Sequence, residues 1–438
     1  MAGHKRGPQM AGQGPRQRLV ELGKDILIVI LTCSAIYLAG LTPMMTQLRS
    51  WMTPPVPSAQ VQPRQARDTV IPCGVSVRNG LGLYGVSYDE ASVERAFSLL
   101  SPLLGQALTT AGEVESITPR QWQQLLEGEG IYCQFQGSPP LEALSAWLGE
   151  GSSLTGSVQA VALGWDGSAA WLGWQDGDAS YRARTQVSYS EHMSAVLDEF
   201  RPNGAAFVYT LRESDETYDV LDPYVLVAME SQRPMTYAAV SPDFIGDSGA
   251  MDTLLGAMGF RSGAGSAYEA AGERAINENG DRLRVNAAGR VVFHTGEENR
   301  YPVNAAGESA TSVEAALAAW EILDRAAAPW KGEEVFILAG AEKTELGWRV
   351  SFQSRLHGIP VYTGKEGWCA QFTIEGRKIT DFTLDLRSYT STGETCLVTS
   401  ERLAAAALRS QAAGGQKLKL CYTDNGTPTV AAVWMAEE

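Results

Sequence analysis

Histidine is scarce in this chain: four in 438 residues, at His4, His192, His294 and His357. They form no H-x-x-x-H pair and no His/carboxylate cluster, so the sequence offers no zinc or di-metal ligand set. Cysteine is sparse too. Cys33, Cys73, Cys133, Cys369, Cys396 and Cys421 include no C-x-x-C pair. This spacing excludes a zinc ribbon or a thioredoxin-type couple, and buried small thiols are the expectation rather than a disulfide framework. Carboxylate pairs such as Glu297-Glu298 and Glu333-Glu334 are expected to be solvated, as is usual in an acidic chain.

Positive charge is missing from most of the length. Residues 1–70 hold eight Lys/Arg against three Asp/Glu, a net of +5, whereas the whole chain carries −15, which leaves −20 for residues 71–438. A body of that sign repels phosphate, so a nucleic-acid partner is excluded. With 44 % hydrophobic and 19 % charged residues the composition is globular, and the length predicts two or three domains.

One long apolar run is present. Ile26 to Met45 (ILIVILTCSAIYLAGLTPMM) carries no charge, and at about 1.5 Å per residue it spans roughly the 30 Å hydrocarbon layer. Lys5, Arg6, Arg16, Arg18 and Lys24 precede it, and Arg49 alone follows closely. That bias predicts a cytoplasmic tail at 1–25, a single span at 26–45 in the lipid bilayer, and an extracytoplasmic remainder. A cleaved signal peptide is the rival reading; no small-x-small cleavage site supports it. Thr before Cys33 makes a poor lipid-attachment signal. Within the span, Thr32, Ala35, Ala39 and Thr42 follow a 3-4-3 spacing and form one small-residue stripe, which would let a partner helix approach closely. Ordinary small-residue content is the plainer explanation.

Residues 46–70 are rich in Pro and Gln and read as a stalk. Three α+β regions follow, at 71–211, 212–308 and 309–438. The first should hold a strand at Val70–Val77, a helix from near Asp89, and a helix capped by Thr118-Pro119. A helix opened by Ser138-Pro139, strands at Val158–Leu163 and Ala169–Trp174, a helix at Ser190–Phe200 and a strand at Ala205–Leu211 complete it. The second should hold a strand at Tyr224–Ala228, a helix at Met251–Met258 and a hairpin turning through Asn286–Gly289. In the third, Thr311 to Glu314 forms a capping box, with Val313, Leu317, Trp320 and Leu323 as the apolar helix face. Strands joined by short turns run from Glu334 to Arg387, then a helix capped by Ser400 and strands near Leu418–Tyr422 and Val430–Met435. Short turns instead of crossover helices predict antiparallel sheets.

Two motifs invite a chemical reading. Gly246-Asp-Ser-Gly-Ala250 resembles a serine-protease nucleophile segment, but the only histidine between span and Ser248 is His192, inside an expected helix. A turn opening the following helix is the expectation. Gly80-Leu-Gly-Leu-Tyr-Gly85 satisfies G-x-G-x-x-G, yet a dinucleotide site needs its glycines to open a helix directly, and here the helix starts only near Asp89. A loop is expected, and no cofactor, metal or catalytic residue is assigned.

Three stretches resemble the YycH/YycI family of membrane-anchored extracytoplasmic regulators of the WalK-type sensor histidine kinase of Gram-positive bacteria. They are SITPRQWQQLLEGEGIYCQFQGSPPLEALSAWLG (Ser116–Gly149), MDTLLGAMGF with DRLRVNAAGRVVFHT, and WRVSFQSRLHGIPVYTGKEGWCAQFTIEGRKITDFTLDLRSY (Trp348–Tyr389). The resemblance implies a PepSY-like or YycI-like C-terminal module and a non-enzymatic role. The partner would be a sensor histidine kinase, a sister YycH/YycI-type protein, or both, in control of cell-wall homeostasis. An anchored envelope hydrolase and an envelope scaffold or ligand-binding protein without a kinase remain the alternatives. Cell fractionation tests the anchor: intact chain should pellet with membranes, and mature protein trimmed behind residue 45 and free in the medium would refute it.

Overall fold

Most of the described strands fall in two sheets, antiparallel but for one pair. The computed structural model describes residues 65–437, apart from 149–150, 188–199, 229–232, 262–265, 271, 297–298, 365–366 and 412–415. Thr32, Ala35, Ala39 and Thr42 lie outside the described residues, as do His192 and nearly all of the helix expected at Ser190–Phe200. Among the described residues no helix is long and apolar enough to cross a membrane.

The first sheet has seven strands, in the spatial order Tyr84–Ser87, Gly74–Arg78, Glu129–Gln134, Ala160–Trp165, Ala170–Asp176, Ala179–Thr185, Val114–Ile117, with every pairing antiparallel. Helix Glu90–Thr109 covers it. Asp89 caps that helix by accepting the Ser92 N–H at 3.0 Å, and Val93, Phe97, Leu100, Leu104 and Leu108 recur at helical spacing on its buried face. The Thr118 box forms as expected: Gln121 Oε1 accepts the Thr118 N–H at 2.9 Å and Thr118 Oγ1 accepts the Gln121 N–H at 3.3 Å. This starts helix Pro119–Leu126, whose Trp122 is fully buried.

The second sheet has eleven strands and draws on both later regions. The meander Ser266–Ala270, Glu273–Glu278, Asp281–Asn286, Arg290–His294 continues directly into Lys378–Asp385, Ala370–Glu375 and Gly347–Leu356. The ladder therefore crosses residue 308 without a break, and Gln65–Glu438 is one compact unit. Strand Gly347–Leu356 pairs with Val335–Lys343 along one edge. Its other edge serves Ala370–Glu375 over the first six residues and Ile359–Thr363 over the last three. The sheet then ends with Lys417–Asp424, parallel to Ile359–Thr363, and Ala432–Glu437. This is α+β with antiparallel sheets, as the turn spacing predicts.

Four local expectations are corrected. Pro72 has no N–H to give a ladder, so the first strand starts at Gly74, after the 3-10 turn Ala66–Val70. The Ser138 N–H donates to Ala339 O at 2.6 Å, which ties that residue to the second sheet, and the helix spans Leu141–Trp147. The strand expected at Ala205–Leu211 shrinks to Ala206–Phe207 before helix Val208–Arg212. There the Arg212 guanidinium gathers the carbonyls of Tyr218, Asp219 and Leu221 and curls the chain. Helix Ser312–Ala327 has its capping box and buries Trp320 and Leu323, but Leu317 is 40 % exposed and the buried face is mostly Ala315, Ala316, Ala319 and Ala326. Small side chains let it lie close to the second sheet and to helix Leu141–Trp147 at once.

Asp281 opens the hairpin from a buried position. Its Oδ2 accepts from Arg300 Nε at 2.6 Å, and its Oδ1 accepts the Gly296 N–H at 2.8 Å. Arg300 also stacks over Phe260, 4.0 Å from the ring centroid. Removing one member of such a pair leaves a charge buried alone. Asp281→Ala should therefore cost roughly 3 kcal/mol of unfolding free energy, read as a lowered urea midpoint. A loss below about 1 kcal/mol would mean that desolvation already cancels the pair.

Candidate functional site

A cleft of about 500 Å³ opens where the two sheets meet, a size suited to a small organic ligand. Its floor follows from strand register. Gln134 lies opposite Ala160, and Ala160 opposite Gln175, across three adjacent strands. Alternation places these three on one face, with a small residue between two amides, and Tyr132 belongs to the same face two residues back. Gln136 continues the line beyond the strand end. One wall is the segment Leu221–Val227, and the other is formed by Lys417–Leu420 and Trp434. The turn Gly358–Pro360 closes a third side.

Polar contacts across the seam hold these walls in register. Gln136 Nε2 donates to Gln353 Oε1 at 2.5 Å, and Arg355, 1 % exposed, donates through Nη1 to Pro72 O at 3.0 Å and Ile71 O at 3.2 Å. Gly137 has φ +76°, and an added Cβ would fall on the backbone of Ala339, so a side chain here would part the seam. Gln159 Nε2 donates to Ser138 Oγ at 3.2 Å. Tyr88 Oη donates to Leu226 O at 2.8 Å and accepts the Leu226 N–H at 3.2 Å, which fixes the Leu221–Val227 wall to the first sheet.

Electrostatically the cleft is balanced. Asp222 and Glu401 face Lys417 and Lys419. Lys417 Nζ lies 3.8 Å from Asp222 Oδ2, and Lys419 Nζ donates to Tyr362 Oη at 3.0 Å. Burial pushes the phenols of Tyr88 and Tyr132 well above their usual range and raises the Cys73 thiol. These groups stay protonated near neutrality, so they present hydrogen bonds and not an activated nucleophile. A second crevice beside Arg78, Tyr84 and Leu126 has about 10 Å³, room for about one water.

The sequence motifs sit elsewhere. Asp247 caps helix Ser248–Ala257, its Oδ1 accepting the Gly249 N–H at 2.8 Å, and Ser248 is that helix's exposed first residue. The Gly80–Gly85 run is the turn and second strand of a hairpin in which Arg78 pairs with Tyr84, a geometry that opens no helix toward a phosphate. His294 Nδ1 is 2.5 Å from Asp381 Oδ1 on the surface, and His357 occupies a turn at φ +46°. Among the described residues no His/Cys/Asp/Glu group could hold a metal ion, and Cys73, Cys133, Cys369 and Cys396 are thiols outside any disulfide.

Sequence reasoning missed the cleft glutamines. They lie at the ends of separate strands (IYCQFQ, SVQA, WLGWQD), and only the i, i+2 spacing of Gln134 and Gln136 hints at a shared face. Burial drives the Cys133 and Cys369 thiols up to about 12, so little thiolate exists at about pH 8. Alkylation at that pH, mapped by mass spectrometry, should spare both in native protein and modify both in urea. Native labelling at the unfolded rate would contradict their burial. Comparison with family models, with curated proteins and with solved structures gives no match.

Proposed function

We propose that this chain is a non-enzymatic, membrane-anchored regulator of a cell-envelope two-component sensor histidine kinase. Residues 26–45 act as its single span, residues 46–70 as its stalk, and the α+β body works outside the cytoplasm. The observation that carries the reading is the uncharged run Ile26–Met45, with Lys5, Arg6, Arg16, Arg18 and Lys24 before it and an acidic body after it. The order of elements in the last third supports the finer fold reading. Helix Ser312–Ala327 followed by a meander of curled strands from Val335 to Asp385 fits a PepSY-like, YycI-like module.

The route to a kinase is the bilayer. Anchoring confines both proteins to two dimensions and raises their effective concentration, so weak contacts between spans suffice. Thr32, Ala35, Ala39 and Thr42 are the residues we assign to that contact, with the kinase's helices or a sister YycH/YycI-type protein on the other side. Replacing Ala35 and Ala39 with Leu or Ile should lower crosslinking to the kinase and shift the output of a reporter under its control. If both readouts match the unaltered protein, the helix-contact mechanism is wrong.

A further inference from the structure

We propose that the cleft between the two sheets is a binding site for a neutral, hydroxyl-rich ligand of oligosaccharide class. The proposal deepens the regulatory reading by naming what the outer body senses, and it rests on that reading only for its signalling consequence. Four glutamines, at 134, 136, 159 and 175, converge on one end of the cleft from three adjacent strands and the segments that flank them. Each side-chain amide offers both donors and an acceptor, which matches sugar hydroxyls, themselves donors and acceptors at once. Trp434 lines the same cleft from the wall of Lys417–Leu420. Its Nε1 donates to Thr399 O at 2.9 Å, so the indole is held in place, and an aromatic face packs well against the apolar C–H face of a sugar ring.

Gln136 supplies an independent mark of a ligand. It is 4 % exposed, it lines the cleft, and its Oε1 accepts no protein hydrogen bond. An unsatisfied buried acceptor costs about 1–3 kcal/mol, so Gln136 Oε1 calls for a donor, which a ligand hydroxyl in the cleft, directly or through one water, would supply. Charge argues for neutrality. Two acids face two lysines, and both lysines are engaged with Asp222 or Tyr362, so no net field selects an ion.

A peptide is the rival occupant and the geometry disfavours it. Extended peptides bind chiefly by adding a strand to an open sheet edge. The three floor strands and strand Lys417–Asp424 are each paired on both sides, so strand addition is left only the edges of Ala432–Glu437 and Leu226–Val227, away from the glutamines.

The test uses the full chain in detergent micelles, with chitotriose and maltotriose as neutral trisaccharides and an uncharged, end-blocked Ala/Ser hexapeptide as the rival. Binding is read by calorimetry and by tryptophan fluorescence. One trisaccharide should bind saturably at concentrations up to about 10 mM. Gln136→Leu should weaken it about tenfold and Gln159→Ala, at an exposed position where folding is safe, about threefold. Absence of saturable binding by both sugars overturns the proposal, as does binding indifferent to Gln159→Ala and Trp434→Ala, or a preference for the peptide. Crosslinking of the same Gln159→Ala chain to the kinase separates the two readings. Sugar binding without kinase contact removes the regulatory reading alone, and kinase contact without sugar binding removes the ligand proposal alone.

Discussion

Close packing of an alanine-faced helix is the constraint on which the rest of the body depends. Ser312–Ala327 touches the second sheet, helix Leu141–Trp147 beside the first, and the entry turn Ala66–Val70. One continuous apolar core consequently runs from Val75 and Leu100 through Ala315 and Trp320 to Phe352 and Phe382. Apolar burial at about 25 cal/mol per Å² fixes how near the two sheets come but not their register. Register belongs to the polar stitches Gln136–Gln353, Ser138–Ala339 and Arg355–Pro72. Each contributes only about 1 kcal/mol net when made, yet a buried partner left unmade costs about 1–3 kcal/mol. Sliding the seam is therefore penalised more heavily than the bonds themselves stabilise, and the cleft, whose walls come from both sides of the seam, inherits a fixed shape.

Charge is distributed to leave that cleft electrically quiet. The body carries −20 beyond residue 70, but its strongly interacting carboxylates are bound inward. Asp281 is held by Arg300, and Asp424 by Arg387 Nε at 2.6 Å and Tyr389 Oη at 2.7 Å. Glu334 is buried and pushed upward by desolvation, yet it accepts the N–H groups of Gly332 and Tyr389. In each case an acid organises backbone or an arginine instead of facing a ligand. Surface acids then provide solubility and repulsion from polyanions.

Capping and turn chemistry made much of the fold legible in the sequence. Thr118-Pro119, Thr311 to Glu314 and Asn286–Gly289 act within a few residues, so their outcome needs no tertiary context, and each appears as expected. Elements decided at a distance were opaque. Val114–Ile117 and Ala179–Thr185 are polar on their outer faces and form strands because they pair with each other. The face of helix Ser312–Ala327 was misread through Leu317 because hydrophobicity alone favours leucine, whereas the packed interface demands small side chains. The cleft was illegible for the same reason. Gln134 and Gln175 meet only through two strand registers, 41 positions apart in the sequence.

The least anchored wall of the cleft is the one through which a ligand could act on the body. Among the described residues Leu221–Val227 belongs to no large sheet, and its ladder there is the two-residue pairing of Leu226–Val227 with Ala206–Phe207. Tyr88 pins it to the first sheet, and the exposed ion pairs Asp215–Arg402 and Glu216–Arg409 tie the turn before it to helix Glu401–Gln411. Exposed pairs of this kind contribute little, ~0–1 kcal/mol each, so the wall is held mainly by Tyr88, by the Arg212 guanidinium on Leu221 O and by the burial of Leu221 and Leu226. A ligand that touches floor and wall together bridges the two sheets, and it can bias their relative placement only by as much as its affinity differs between placements.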